Sequence, residues 1–558
     1  MKDKLDNILK TTITDCFEKG MLDRTDLPDY VIEIPNNSGN GHFASNLAMT
    51  LASSQKRSPR DIAKIIIDNL QDHENFLEKV EIAGPGFLNF IISVDEWYNV
   101  LDNIIALRNE YGSLKTGSKE KVLVEFVSAN PTGPLHLGHG RGAAMGDTLC
   151  RILSFEGYSV VREFYINDAG VQISLLGESV YSRWKQADNP GYPFPENGYH
   201  GSYIVELANK ISEQIDLSAI DPKEAVEICS ELGKEIMIEE IKQDLEQFRV
   251  SFDVWSYEKD LFSKGLVEKS LDEIKERGEL YEKDDAQWIN TSAYGDDKDR
   301  VVKKQDGQYT YFASDISYHL EKYKRGFDHA INIWGADHHG YVRRIKSALK
   351  ADGLDESWLS VILIQLVKLW EAGQEVKMSK RSGQFVTLKE LVDDVGVDAV
   401  RFVFLTKSHD SPLDFNIDLV KKQDSENPVY YVQYAHARIC SIFNKADEQG
   451  ISMTGSPDKI LSRLKLDEEM RLIRYMAEFS SVLEEICVTF EAHRLTYYLT
   501  ELAAMFHRYF NMGTSNPENR IIVEDKILSQ ARLFLVDAVR IVIKNGLNLL
   551  GCSAPKRM

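Results

Sequence analysis

Residues 121–147 read KVLVEFVSANPTGPLHLGHGRGAAMGD, and the order of features along them decides the fold. Lys121 to Val127 is β-branched and apolar, as a strand buried in a parallel sheet should be. Ser128-Ala129-Asn130-Pro131-Thr132-Gly133-Pro134 is dense in turn formers, so the chain leaves that strand in a loop. From Gly138 onward, Gly140, Gly142, Ala143, Ala144 and Gly146 supply small side chains, and Leu149, Ile152 and Leu153 give a helical apolar face. Strand, tight loop and small-residue helix start is how a parallel α/β sheet holds a nucleotide at the carboxyl ends of its strands. The helix N-terminus favours phosphate. His136 and His139, three apart, can both face that phosphate from the first turn. On their own they are as readily a satisfied pair of loop histidines. A metal pair fits less well, because no Cys or third His is near in sequence.

A second run, Lys377-Met378-Ser379-Lys380, lies inside a basic loop expected over 373–387. Gly373 precedes it, Gly383 follows it, and Lys377, Lys380 and Arg381 face only Glu375 in charge. Three basic residues are ordinarily a solvated charge run. Yet pyrophosphate leaving ATP develops charge that needs cations on a loop able to close, and lysine is a point-charge phosphate binder. His136-Leu137-Gly138-His139 followed by Lys377-Met378-Ser379-Lys380 resembles the two signatures of class I aminoacyl-tRNA synthetases, which bind ATP, join an amino acid to AMP and pass it to tRNA.

Length and composition agree with a large enzyme. At 558 residues about three domains are expected, and the apolar fraction of 43% lets each bury a core. Cys16, Cys150, Cys229, Cys440, Cys487 and Cys552 are scattered without a C-x-x-C pair, so neither a zinc ribbon nor a disulfide scaffold is expected. The start, MKDKLDNILKTTITDCFEKG, is not a signal peptide, and no stretch is apolar enough to span a bilayer. Cytoplasm is therefore the expected compartment. The net charge of −21 runs against RNA binding, but it is uneven. From Pro428 onward 16 Lys and Arg stand against 15 Asp and Glu, so the acidic excess lies before that point.

Three blocks are expected. Residues 1–115 hold helical runs, then a strand, turn and strand over Glu81 to Phe90. Residues 116–427 carry both motifs, with a charged, helical insertion over roughly 190–300 that starts NPGYPFPENGY. The second half resumes with strands at Tyr309 to Ala313, Ala330 to Trp334 and Val361 to Val367. Residues 428–558 read as helix throughout.

The narrower resemblance is to arginyl-tRNA synthetases. VEFVSANPTGPLHLGHGRGAAMGD, REFYINDAGVQI (from 162), DGQYTYFASDISYH (from 306) and IWGADHHGYVRR (from 333) are similar to that family, as are GHFASNLAM near the start and LLGCSAPKRM at the end. Leu137 stands where the first signature usually has Ile, and Arg381 where the second usually ends in Ser. The resemblance implies a multidomain α/β plus all-α fold: a Rossmann-like class I catalytic domain with an insertion, an N-terminal α+β tRNA-binding domain and a C-terminal helical anticodon-binding bundle. It implies ATP with substrate-bound Mg²⁺, L-arginine and tRNA(Arg) as partners, a monomer, no structural zinc, and activation that requires bound tRNA.

Site residues follow from the same resemblance. His136, His139, Lys377 and Lys380 would be catalytic, with Gly138 and Met378 completing the ATP site. Glu125, Ser128, Asn130, Tyr311 and Asp315 would hold arginine, whose forked guanidinium suits carboxylates. Without the family, Asp315 would read as a helix N-cap, and Glu125 could be an edge charge. Asn46, Phe87 and Asn89 are candidates for contact with the tRNA D-loop, and Tyr434, Arg438, Tyr509 and Met558 for the anticodon, though each could be ordinary packing. Competing readings are another class I synthetase, a non-catalytic tRNA-binding paralogue and a small-molecule nucleotidyltransferase. The first lacks its zinc ligands here. The second has no use for the phosphate-handling set. The third does not need the terminal modules.

Overall fold

Lys121–Glu125 is the middle strand of a five-stranded sheet, all of whose neighbours are parallel. The order is Leu359–Ile364, His329–Gly335, Lys121–Glu125, Ser159–Ile166, Val254–Tyr257. A computed structural model describes residues 1–35, 37–376, 386–453 and 460–558. They fall into two compact units. One comprises Met1–Tyr111, Ile442–Glu478 and Met505–Ile541, and the other comprises Gly112–Ser441, Phe479–Ala504 and Val542–Met558.

The parallel sheet belongs to the second unit. Its central strand is buried on both faces, which is why it reads as a continuous apolar run. Leu137–Phe155 packs across it. Small residues allow the approach: a Cβ on Gly146 would stand 2.3 Å from Phe126, and one on Gly140 2.6 Å from Leu388. Buried charge ties distant segments to this helix. Arg401 Nη2 donates to Asp147 at 2.5 Å while its Nε and Nη1 donate to the carbonyls of Leu550 and Phe248 at 2.9 and 3.0 Å. Both side chains are fully buried.

The insertion differs from the expected helical stretch. Val171–Asp188, Ser202–Ser212 and Pro222–Gln247 are helices around their own core of Leu176, Val180, Leu207 and Met237. Val254–Tyr257, however, returns to the main sheet, and Leu280–Lys283, Ala286–Ile289 and Arg300–Lys303 form an antiparallel sheet. Tyr309 to Ala313 is not a strand. Tyr309 makes one bridge with Lys303, and Thr310 then caps the helix Tyr311–Lys324 by accepting the Ala313 N–H. Aromatic β propensity gave way to a capping residue. The expected strand over Val361 to Val367 is two: Leu359–Ile364 ends, and Val367–Glu371 opens a separate sheet with Gln374–Val376 and Leu413–Asn416. At the break, the Gln365 carbonyl accepts from buried Arg141 at 2.9 Å.

In the first unit, the expected strand–turn–strand is Leu77–Ala83 and Phe87–Ile92, within a four-stranded antiparallel sheet that also holds Ile32–Glu33 and Phe43–Ser45. Helices Lys2–Glu18, Leu47–Gln55 and Pro59–Asp68 accompany it, the last capped by Ser58 with Pro59 at its start. The same unit contains Asp467–Ala477, where buried Glu469 accepts from Tyr509 Oη at 3.0 Å and Arg532 Nε at 2.9 Å. Tyr98 Oη donates to the Leu464 carbonyl at 3.0 Å and Tyr111 Oη to that of Met476 at 3.0 Å. After 428 the described chain is helical: Pro428–Glu448, Asp467–Ala477, Phe479–Thr489, His493–Ser515 and Lys526–Leu549, with short 3-10 turns.

Candidate active site

At the carboxyl end of the central strand the backbone departs from ordinary geometry. Val127 and Ser128 have φ of 68° and 39°. For a β-branched residue this is a costly conformation, held only where surrounding contacts impose it. Those contacts are visible. Ser128 Oγ donates to Glu125 Oε1 at 2.9 Å and accepts the Tyr165 N–H at 3.1 Å. The strand thus ends at Glu125, two residues before the expected boundary.

His136 is the N-cap of Leu137–Phe155. Its Nδ1 accepts the Gly138 and His139 N–H groups at 3.1 and 3.4 Å, and the His136 N–H donates to His139 Nδ1 at 3.3 Å. This is a reciprocal capping box built from imidazoles. The rings stack with centroids 3.6 Å apart. The residues after the second motif meet the first. Thr387 bridges His136, and Leu388 N–H donates to the Leu135 carbonyl at 2.8 Å. Thr387 also caps Leu388–Val395, with Glu390 closing the box. Lys377, Met378, Lys380 and Arg381 lie outside the described residues.

Two of the expected arginine residues, Glu125 and Asp315, belong to a group of carboxylates that is buried or half-buried. Glu125 is 5% exposed on a central strand, not an edge. It pairs with fully buried Lys322 at 2.5 Å, whose Nζ also donates to Asn332 Oδ1 at 3.1 Å. Asp315 lies inside Tyr311–Lys324, five residues past the Thr310 cap, so it is no N-cap. It accepts from Tyr341 Oη. Burial pushes the Asp315 carboxyl up to about 6, against the Tyr341 bond. Tyr311, the first residue of that helix, is exposed. Asn130 Nδ2 donates to Gln172 Oε1 at 2.9 Å.

Four further residues complete this group and were not among those expected. Glu258 is 4% exposed, and burial followed by the charges of Asp315 and Asp168 pushes its carboxyl up to about 7. Asp168 is buried and accepts the Lys259 N–H at 3.0 Å. Tyr165 Oη is buried without a hydrogen-bond partner among the described residues. Burial, then the charges of Glu258, Asp315, Glu125 and Asp168, disfavours its ionisation. Tyr165, Asp168 and Tyr341 stand inside the quoted stretches REFYINDAGVQI and IWGADHHGYVRR, so that signal was present; Glu258 lies in no such stretch.

The expected tRNA contacts divide by burial. Ser45 pairs with Leu88, so Asn46 and half-buried Phe87 come at one end of their strands. Asn46 Oδ1 accepts the Val31 N–H at 2.8 Å. Asn89 is 6% exposed and faces the interior. Tyr434 and Arg438, one turn apart on Pro428–Glu448, stack with the guanidinium 4.5 Å from the ring centre, and Met558 is exposed. Tyr509 is a correction. It is 1% exposed and bonded to Glu469, so its ring is core and offers no face to a base. No helix among the described residues is long and apolar enough to cross a membrane. No three His, Cys, Asp or Glu side chains among them converge as metal ligands.

Comparison with known proteins agrees across the chain. Residues 3–92 match the family described as Arginyl tRNA synthetase N terminal domain, 100–411 the family tRNA synthetases class I (R), catalytic domain, and 432–558 the DALR anticodon binding domain. An arginine–tRNA ligase of Desulfosudis oleivorans is 48% identical over 562 residues, covering 100% of both chains. One from Syntrophotalea carbinolica is 45% identical over 560 residues, again covering 100% of both. In structure, the arginyl-tRNA synthetase of Thermus thermophilus superposes with a TM-score of 0.77 at 21% identity, covering 99% of each chain, which speaks to the fold. The chain belongs to the arginyl-tRNA synthetase (arginine–tRNA ligase) family of class I aminoacyl-tRNA synthetases.

Proposed function

We propose that the chain joins L-arginine to AMP at the expense of ATP and transfers the arginyl group to the 3′ end of tRNA(Arg). The observation that carries the choice of amino acid is the carboxylate group of buried Glu125, Asp168 and Glu258 with half-buried Asp315, in which Lys322 is already bound to Glu125 and burial raises the Glu258 and Asp315 carboxyls. Such a group of carboxylates calls for a cationic ligand with several donors. A guanidinium fits, with Asp315 as the forked partner, Tyr311 along the stem, and Ser128 and Asn130 toward the amino-acid backbone.

ATP would place its phosphates at the N-terminus of Leu137–Phe155, over Gly138 and the stacked His136 and His139. The arginine carboxylate attacks the α-phosphorus, and pyrophosphate leaves. Lys377 and Lys380 would meet the transferring and leaving phosphates, and Met378 the nucleotide. Mg²⁺ carried by ATP would share the phosphate charge. A terminal ribose hydroxyl of tRNA then attacks the acyl carbon of arginyl-adenylate; the new ester bond forms as the bond to AMP breaks, AMP leaves, and the hydroxyl gives up its proton. No protein nucleophile is required, because positioning and electrostatics supply the rate.

In this reading 1–115 and 428–558 grip tRNA through Asn46 and Phe87, and through Tyr434, Arg438 and Met558, while 116–427 do the chemistry. The enzyme acts as a monomer in the cytoplasm, and activation waits for tRNA. Charging of tRNA(Arg) with labelled arginine tests it. Arginine esterified to tRNA in an ATP-dependent reaction is the expected product, and none formed by folded protein would refute the reading.

A further inference from the structure

His339, Arg343, Lys346 and Lys350 recur at spacings of four, three and four on the helix His339–Ala351, so they share one face. With Tyr294, Val361 and Leu363 they line a cleft of about 650 Å³. His339, Arg343 and Lys350 are exposed and Lys346 is half-buried. Lys350 has Glu356 at 3.6 Å, whereas Arg343 and Lys346 have no ion pair or hydrogen bond among the described residues. Like charges at these spacings repel one another on a helix. They gather in the part of the chain that is otherwise acidic.

The row has a direction. It begins where the strand His329–Gly335 and the short turn Ala336–His338 deliver the chain at the carboxyl edge of the sheet, beside the proposed site. It ends at Lys350, roughly 17 Å further along the helix axis. That length exceeds a single triphosphate group and suits successive phosphates of one strand. The transfer step requires an RNA terminus at the same edge of the sheet.

We propose that this cleft receives the backbone phosphates of the tRNA acceptor strand just upstream of its terminal ribose, with Arg343 and Lys346 as the principal contacts. The proposal rests on the tRNA-ligase reading above. Its test is tRNA(Arg) binding by the full chain, followed by fluorescence anisotropy across a salt series. Arg343→Ala with Lys346→Ala should weaken binding about 10- to 100-fold near 0.1 M salt and reduce the salt slope by about two, one per lost phosphate contact. Arginine binding measured directly should be unchanged, which also shows that the variant is folded. Arg343→Gln with Lys346→Gln keeps side-chain bulk and should behave alike. Lys269→Ala with Lys275→Ala, both exposed on the helix Leu266–Glu276, controls for net charge. An unchanged slope in the first variant, or an equal loss in the control, overturns the proposal. Wild-type protein that does not bind tRNA(Arg) overturns both this and the function; wild type that charges tRNA while the variant binds normally overturns this alone.

Discussion

Asp315 and Glu258 carry the clearest signature of what the pocket lacks. Their carboxyls are raised, mainly by burial, to about 6 and about 7. A raised carboxyl contributes stability that is complete below its ordinary value near 4 and is lost as pH rises through the folded value. A bound guanidinium favours the ionised forms. Arginine affinity should therefore climb as pH rises from about 5.5 to about 7.5, and binding near pH 6 should release protons. Calorimetry in buffers of different ionisation enthalpy reads that release; heats independent of the buffer would remove these carboxyls from the arginine site. Asp315→Asn should cost about 2 to 5 kcal/mol of arginine binding, with ATP binding nearly unchanged. Equal loss of both ligands would make Asp315 a structural residue instead. Lys380→Ala should slow adenylate formation about 100- to 1000-fold, measured by single-turnover kinetics with arginine binding as the control. Near-normal activation would exclude Lys380 from the mechanism. Asp315 and Glu125 could be named from sequence because they lie in dense motifs. Glu258 could not, because its role comes from burial beside Asp315 across a long sequence separation.

The signature helix Leu137–Phe155 explains why the first motif is written in small residues. Its glycines let it lie on the sheet, and Gly146 leaves 2.3 Å between a hypothetical Cβ and Phe126. Gly146→Ala should thus destabilise the protein by about 1 to 3 kcal/mol through overpacking, seen as a lower midpoint in denaturant. An unchanged midpoint would mean that Phe126 moves freely. Here sequence and structure agree closely, since strand, turn and helix each carry a local marker. Tyr309 to Ala313 shows the opposite case: two aromatics suggest a strand, but Thr310 supplies a cap and a helix follows. Within the insertion, Val254–Tyr257 joins the main sheet through pairing with Ser159–Ile166, a contact that no local pattern announces. Tyr509 differs from expectation for the same reason: its ring is buried and its hydroxyl donates to Glu469. Aromatic residues on a helix look alike in sequence whether they meet RNA or, as here, a buried glutamate.

Over the whole molecule, the two compact units cut across the order of the chain, since Met1–Tyr111 groups with Ile442–Glu478 and Met505–Ile541. The character of the three blocks is legible in local patterns, but only folding assigns segments of the last block to each unit. If bound tRNA is needed for activation, its recognition must shift the active site between two states. Tyr434→Ala should then raise the tRNA concentration needed for both pyrophosphate exchange and charging while direct ATP binding stays intact; loss of ATP binding as well would point to misfolding rather than coupling. The most direct test of the central claim is ATP–pyrophosphate exchange by the full-length protein with each of the common amino acids, with and without tRNA(Arg). Exchange should appear with arginine alone and only when tRNA is present. Exchange supported by another amino acid in preference to arginine would contradict the assignment of the carboxylate pocket, and brisk exchange with arginine in the absence of tRNA would contradict the coupling.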